Sequence, residues 1–457
     1  LLMFRLGDFY KMFFEDAVVS SQLLQLTLTQ RNGIPMCGLP YHAANNYIGR
    51  LLKAGRKVAI CDQTEEAKPG KLVQREVTSI LSPGTHFDDR LLRAERNNFL
   101  ASIALHGDTY GLACVDLTTG DFRLTELSDS KPLLAELERL RPAELIFPGG
   151  SKALSELLGH ASTQLSPHDD WVFLPETAVF TLREHFKVAS LDGFGLRNRT
   201  AAIGAAGAIL HYLSTHLRRD VAHLTRLGFY EVADYLILDS ISLRNLEILE
   251  TIHADAPRNT TLFGALNQTV TPMGARRLRD WLTQPLAAEE PIRRRQDAVQ
   301  SWLDHPPALA AFRARLAEVR DLERTVSRLS LGSGNARDLL ALRLALEQLP
   351  SVKSAVAEAN QPGPEAPQSQ LLPKPEPDAP TGPSELGHLG SLLRELPDLV
   401  ELLGHAVADE PPLAVKEGGM IRDGFSAELD ELRSAARGGK DWLAKLQLDE
   451  IARTGIP

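Results

Sequence analysis

Apolar and polar positions change period twice along this chain of 457 residues, and the changes mark three stretches. The first opens on an apolar run, Leu2–Leu6, which predicts a short strand. Gly7-Asp8 predicts a turn whose Asp can cap a helix. Phe9, Phe13, Ala17, Ser20 and Leu24 then fall at helical spacing, so a helix is expected from about Phe9 to Leu26, with strand-like alternation over Leu26–Gln30. On that pattern Phe9 is one more core residue of an amphipathic stripe. A second helix is expected from about Ala43 to Ala54, then strands over Lys57–Asp62 and Val73–Leu81, with Pro83-Gly84 closing the unit. Residues 1–90 therefore read as a small mixed α/β domain.

The second stretch, 96–235, is predicted to hold strands over Phe99–Leu105, Tyr110–Leu117 and Asp121–Leu127, with Thr118-Thr119-Gly120 as a hairpin turn. A helix over Leu133–Leu140 and a strand over Leu145–Phe147 complete an α/β layer pattern. From about Thr200 the pattern turns helical, with Ala and Leu at helical spacing through Leu213. Further helices are expected over Leu238–His253, Gly274–Leu282 and Arg293–Leu303, so 236–457 reads as an all-helical domain. Within it, residues 361–383 carry eight prolines, which remove backbone donors and predict a disordered or extended surface insertion.

A composition of 43% apolar and 24% charged residues fits a soluble chain of several domains. No apolar run approaches the roughly 18–20 residues that cross a bilayer, which predicts a cytoplasmic protein without membrane contact. Cys37, Cys61 and Cys114 are few and far apart, so they are expected to be reduced core residues. The net charge of -9 hides an asymmetry. Residues 1–90 hold 11 Lys plus Arg against 9 Asp plus Glu, leaving 39 against 50 elsewhere, so the first stretch is +2 and the rest -11. Contact with nucleic acid would have to come from local patches. The chain opens on Leu1 and closes on Gly455-Ile456-Pro457, so it is expected to be a piece of a longer protein.

Searches for catalytic motifs return little. There is no GxxxxGK[ST] loop, since Gly439-Lys440 runs into Asp441, so no ATP hydrolysis is expected of this stretch. Gly193-Phe194-Gly195 lacks the third glycine of a dinucleotide fingerprint, and HExxH, paired CxxC and GxSxG are missing. One catalytic alternative is a divalent-metal nuclease centred on Asp116, with Asp121, Glu136 and Glu138 nearby in sequence. Against it, an Asp before Leu-Thr-Thr-Gly at a strand end usually caps the turn.

The segments FRLGDFYKMFFEDA, PMCGLPYHAANNYIGRLLKAG, KVAICDQT and the SPGT of Ser82–Thr85 occur in order, and together they resemble the mismatch-binding domain of the bacterial MutS family. NFLASIAL and GLACVDLTTGDFRLTEL resemble that family's RNase H-like connector domain. LDSISLRNLEIL and TPMGARRLRDWLTQPL resemble its lever helices, and the terminal DEIARTGIP resembles the helix that enters the DNA clamp. The resemblance implies a multidomain α/β plus α protein with no catalytic, cofactor or metal site in this stretch. The clamp and ATPase would follow Pro457, with ATP and Mg²⁺ serving the full-length protein.

The partners implied are double-stranded DNA with mismatches or small insertion/deletion loops, a second copy when full length, and a MutL-type protein, in a nucleoid-associated setting. In the family the Phe of a Phe-x-Glu motif wedges beside the mispaired base, and here that Phe is Phe9. Lys11 stands where the family has Glu, replacing an acceptor by a donor. Arg31, Arg50 and Lys53 are candidate phosphate contacts, with a merely solvated role as the alternative, and the Pro40-Tyr41-His42 turn either packs the domain or touches DNA. Because of Lys11, a relative that binds branched or distorted DNA without mismatch specificity remains the second reading.

Overall fold

The computed structural model describes residues 1–63, 74–85, 92–159, 163–253, 255–362, 384–413 and 417–454. Nearly all of the proline-rich insertion, and Val73 at the start of an expected strand, lie outside the described residues.

The first domain is a six-stranded sheet built from β1 (Leu2–Leu6), β2 (Phe9–Phe13), β3 (Thr29–Arg31), β4 (Ile34–Pro40), β5 (Val58–Gln63) and β6 (Arg75–Leu81), in the order β3-β4-β2-β1-β5-β6. Among the described residues of this sheet only the β1–β5 pairing is parallel. Helices α1 (Phe14–Leu24) and α2 (Ala44–Lys53) supply the core with Ala17, Leu24, Ile48 and Leu51, which pack with Met3, Met12, Leu39 and Val58 of the sheet.

The helix expected over Phe9–Leu26 is therefore corrected at its start. Phe9–Phe13 is a strand, held between β1 and β4 by two antiparallel ladders, and the helix begins only at Phe14. The physical reason is the two-residue loop Gly7-Asp8, in which Gly7 takes a φ of 61°, as the first central residue of a tight hairpin turn requires. Asp8 thus closes a hairpin rather than capping a helix. Of the expected stripe, Ala17, Ser20 and Leu24 do form the buried face of α1. The strand expected over Leu26–Gln30 is β3, at Thr29–Arg31.

The second domain is also a six-stranded sheet, formed by β7 (Leu100–His106), β8 (Thr109–Asp116), β9 (Asp121–Leu127), β10 (Glu144–Pro148), β11 (Gln164–His168) and β12 (Gly228–Phe229), in the order β11-β10-β7-β8-β9-β12. An antiparallel meander continued by parallel strands beside β7 is the RNase H-like arrangement. Helices α3 (Ser130–Leu140) and α4 (Lys152–Leu158) cover one face through Leu133, Leu137 and Leu154. On the other face, α5 (Pro175–Phe186) and α6 (Thr200–His211) bury Leu182, Ile203 and Ile209 against Val115 and Leu124. Glu126 of β9 caps α6 by accepting the Ala201 and Ala202 N–H groups at 2.9 and 3.1 Å. Cys37, Cys61 and Cys114 are all free and buried.

The third region is helical: α7 (Ser240–Asn245), α8 (Leu262–Leu266), α9 (Pro272–Thr283), α10 (Glu289–Asp304), α11 (Pro306–Ala317), α12 (Leu322–Ser330), α13 (Ala336–Ala359), α14 (Glu385–Leu392), α15 (Pro397–Ala406) and α16 (Ala427–Thr454). The helix expected over Leu238–His253 is only α7, because Glu247 adopts a φ of 46° and the Glu247 and Ile248 carbonyls turn to accept from Leu262 and Phe263. Asn335 starts α13 with a reciprocal capping box to Asp338.

Side-chain bridges join the domains. Lys57 pairs with the fully buried Glu144 at 3.1 Å, and Arg123 with Asp280 at 2.9 Å. Arg276, only 5% exposed, donates to both Asp321 oxygens, to Glu323 and to the Ala94 carbonyl.

Candidate nucleic-acid interface

The alternation along β2 decides what the first domain presents. Tyr10 and Met12 point into the core, while Phe9, Lys11 and Phe13 lie on the other face, away from α1 and α2. Antiparallel register places Leu6 and Pro40 beside Phe9, and Phe4 and Gly38 beside Lys11. The open face is thus an apolar surface, with Phe4 and Phe13 meeting edge-on at 6.2 Å and Phe9 at its hairpin end. Phe9 is 47% exposed, so it is not the core residue that its spacing predicts. The stem of Lys11 passes over Gly38, where an added Cβ would sit 3.5 Å from its Cγ, and Lys11 makes no hydrogen bond or ion pair among the described residues.

Polar contacts on the core side hold this hairpin in place. The Tyr10 hydroxyl donates to Asp62 at 2.8 Å, and burial together with that carboxylate pushes the phenol pKa up. The Tyr41 N–H donates to the Asp8 carbonyl at 2.8 Å, and the Arg5 guanidinium lies 4.2 Å above the Tyr41 ring. The Pro40-Tyr41-His42 turn therefore braces the hairpin end while leaving Tyr41 exposed.

The three candidate phosphate contacts are dispersed. Arg31 shares the open face but pairs with Ile34, six residues from the Pro40 that flanks Phe9, so it lies roughly 20 Å away at about 3.3 Å per residue. Arg50 donates to the Leu23 and Leu24 carbonyls, both at 3.1 Å, and so completes the C-terminal end of α1. Lys53 lies on α2 beside a cavity lined by Gly55, Pro83 and Gln164, on the side of the second domain. None of the three adjoins Phe9. Leu6 and Pro40 flank it in the sheet and Phe4 lies on the same face beside Lys11; Leu6 and Phe4 are residues that the sequence does not single out. Period-two parity counted from the Gly7-Asp8 turn is the signal that identifies Phe4 and Leu6.

Asp116, centre of the nuclease alternative, is fully buried. Its carboxylate accepts from Thr118 N at 2.9 Å, Thr118 Oγ1 at 2.7 Å and Asn98 N at 3.0 Å, so it caps the hairpin turn. Burial raises its pKa against these hydrogen bonds. Asp121 pairs with Arg123 and Glu136 with Arg139, and no cluster of three metal-binding side chains occurs among the described residues. Asp116 thus takes the turn-capping role expected of an Asp before Leu-Thr-Thr-Gly.

An open-faced sheet, an RNase H-like domain and a helical region, in that order, define a three-domain protein whose parts match models of one family. MutS domain I matches residues 1–90, MutS domain II residues 98–225 and MutS domain III residues 241–453. The DNA mismatch repair protein MutS of Solibacter usitatus is 43% identical over 470 residues, covering 100% of this chain and 51% of its own length. That of Myxococcus xanthus is 43% identical over 466 residues (100% and 50%), and that of Lachnoclostridium phytofermentans 39% over 466 (100% and 48%). The chain belongs to the MutS family, and it spans about half the length of the curated relatives it matches. No helix of the described residues is long and apolar enough to cross a membrane.

Proposed function

We propose that this protein serves DNA mismatch repair, recognising mispaired or unpaired bases by inserting Phe9 and kinking the duplex there. The observation that carries this reading is the position of Phe9, a half-exposed aromatic at the end of an open, apolar sheet face. A mispaired step stacks poorly, so unstacking it, which costs a few kcal/mol at a paired step, costs less. Selection then follows deformability rather than base identity, which lets one side chain serve chemically different mispairs. ATP and Mg²⁺, a second copy and a MutL-type partner belong to the same proposal for the full-length protein, as does a place on the nucleoid.

One observation favours a second reading, a binder of branched or distorted DNA. Lys11 shares the face of Phe9 and can only donate, so it can reach a phosphate or a base acceptor but cannot accept a base N–H. Fluorescence anisotropy on matched, G·T, unpaired-T and branched duplexes, with Phe9→Ala beside the native protein, separates the two. Tighter binding of the G·T and unpaired-T duplexes than of the matched one, lost in Phe9→Ala, is expected. Equal affinity for matched and mismatched duplexes, or an unaffected Phe9→Ala, overturns the first reading; preference for the branched duplex alone supports the second.

A further inference from the structure

Where the first domain meets the second, one buried carboxylate takes its counter-charge from across the boundary. Glu144 of β10 is fully buried and gathers three donors on a single oxygen: the Tyr212 hydroxyl at 2.6 Å, the Ser166 hydroxyl at 2.8 Å and, from the first domain, the Lys57 ammonium at 3.1 Å. Its other oxygen, Oε2, has no hydrogen-bond partner among the described residues. The Lys57 side chain is 33% exposed and its Nζ lies 5.1 Å from the centre of the Tyr212 ring, so the ammonium reaches in from the rim.

Three histidines pack around this bridge. A π-helical turn, Tyr212–His216, follows α6 and stacks the His216 ring on Tyr212 at 5.2 Å, with the planes 16° apart. The His168 ring lies 5.3 Å from His216 and 5.8 Å from His211. His168 Nε2 and His211 Nδ1 are buried without a hydrogen-bond partner among the described residues. Burial is the first cause that lowers all three pKa values; Lys57 lowers those of His168 and His216 further, and neighbouring histidines those of His168 and His211. Asp169 acts in the opposite sense on all three, and Glu144 on His216. The imidazoles are thus kept neutral by a dry site with Lys57 in it. Protons favour whichever state holds them more tightly, and here that is the state from which Lys57 has withdrawn. Glu144 does not become an unpaired buried charge in that state, because an imidazolium of its own domain can replace the ammonium.

We propose that Lys57–Glu144 is a proton-operated latch between the first domain and the RNase H-like domain: protonation of His216 and His168 gives Glu144 a counter-ion within its own domain and releases Lys57. Ile80 packs against the core of the second domain and donates its N–H to the Leu217 carbonyl at 3.4 Å, so it is the pivot that remains when the latch opens. What turns about it is the domain that carries β2 and its open face. The inference does not depend on the mismatch-reading proposal.

Energy transfer between dyes attached at Gln30→Cys on β3 and Glu184→Cys on α5 tests it in the whole chain; both positions are exposed, and Cys37, Cys61 and Cys114 are buried. Transfer should hold steady between pH 8 and 7, then shift reversibly to a second value as the pH falls from about 6.5 to 5, with the far-UV circular dichroism unaltered. Lys57→Met should show the acid value already at pH 8. The double variant His168→Gln, His216→Gln should keep the pH 8 value throughout. Constant transfer in the native protein over this range, or native behaviour in both variants, overturns the proposal. A shift that appears only together with loss of the circular dichroism signal is acid unfolding and overturns it equally.

Discussion

Replacing Lys11 by Glu would probe the electrostatics of the open face. Residues two apart on one strand face are roughly 6.6 Å apart at about 3.3 Å per residue, or about two base-pair steps of 3.4 Å. A side chain there reaches the bases beside an inserted Phe9. Because Lys11 is partly exposed, its stem rests on Gly38 and it has no ion pair among the described residues, the substitution should change stability by no more than about 0.5 kcal/mol. Its effect on DNA has two parts of different kind. Loss of one phosphate contact lowers the slope of log affinity against log salt by about 0.9 and weakens every duplex alike. Gain of an acceptor for a thymine or guanine N–H contributes about 1–3 kcal/mol of discrimination, roughly 5- to 150-fold, at mispaired steps alone. Anisotropy titrations on matched and G·T duplexes at two salt concentrations read both parts. Lys11→Glu should bind the matched duplex more weakly and with a shallower slope, while its G·T-to-matched ratio rises. An unchanged slope together with an unchanged ratio would mean that Lys11 faces neither bases nor phosphates, and the proposed orientation of the open face would go with it.

Two further predictions concern the frame behind that face. Arg276→Met removes four hydrogen bonds from a side chain that is 5% exposed and should lower stability by about 3 kcal/mol, the low end for breaking a buried ion pair because Glu323 is half-exposed; a urea midpoint within error of the native one, followed by circular dichroism, would show that the bridge contributes nothing. His168, His211 and His216 stand close together, with ring centroids 5.8 Å (His168–His211) and 5.3 Å (His168–His216) apart, and all three pKa values are depressed, first by burial, then by neighbouring cations including Lys57 in two of the three. A folded-state pKa below the unfolded value of about 6.5 means that the unfolded chain takes up protons first, so stability present above that pH should fall as pH drops below it. Urea unfolding between pH 7.5 and 5 should show this slope, and a triple His→Gln variant that keeps the full slope would refute the assignment.

The parts of the fold that sequence pattern recovers are those where one element has one face to bury. The meander β7-β8-β9, α3 and α9 fall where alternation or helical spacing places them, because local pattern and tertiary burial agree there. β4 escapes notice for a specific reason: Pro35, Gly38 and Pro40 interrupt the sequence of a strand that is nonetheless paired on both sides. The helix expected over Leu238–His253 fails for a different one. Its apolar spacing is genuine, but tertiary hydrogen bonds from Leu262 and Phe263 take the carbonyls of Glu247 and Ile248. Arg50 shows the same limit for a side chain, since nothing in its own neighbourhood of sequence announces that it closes α1, 26 residues earlier.

At the site itself, the ambiguity lies in the number four. Phe9 and Phe13 are separated by four residues, which is close to one helical turn and also two full strand repeats, so spacing alone cannot choose between the two. The choice decides the chemistry. On a helix Phe9 and Lys11 would diverge by about 200° at roughly 100° per residue, and Lys11 would have no bearing on what Phe9 touches. On β2 they lie on one face, with Gly38 opposite Lys11 and Pro40 opposite Phe9. Resemblance to the family points to Phe9 as the proposed wedge, but only the Gly7-Asp8 hairpin puts the exchange of Glu for Lys at position 11 on the same face beside it. That coupling is why Lys11, rather than any of the dispersed cations Arg31, Arg50 and Lys53, is the residue whose replacement should alter discrimination as well as affinity.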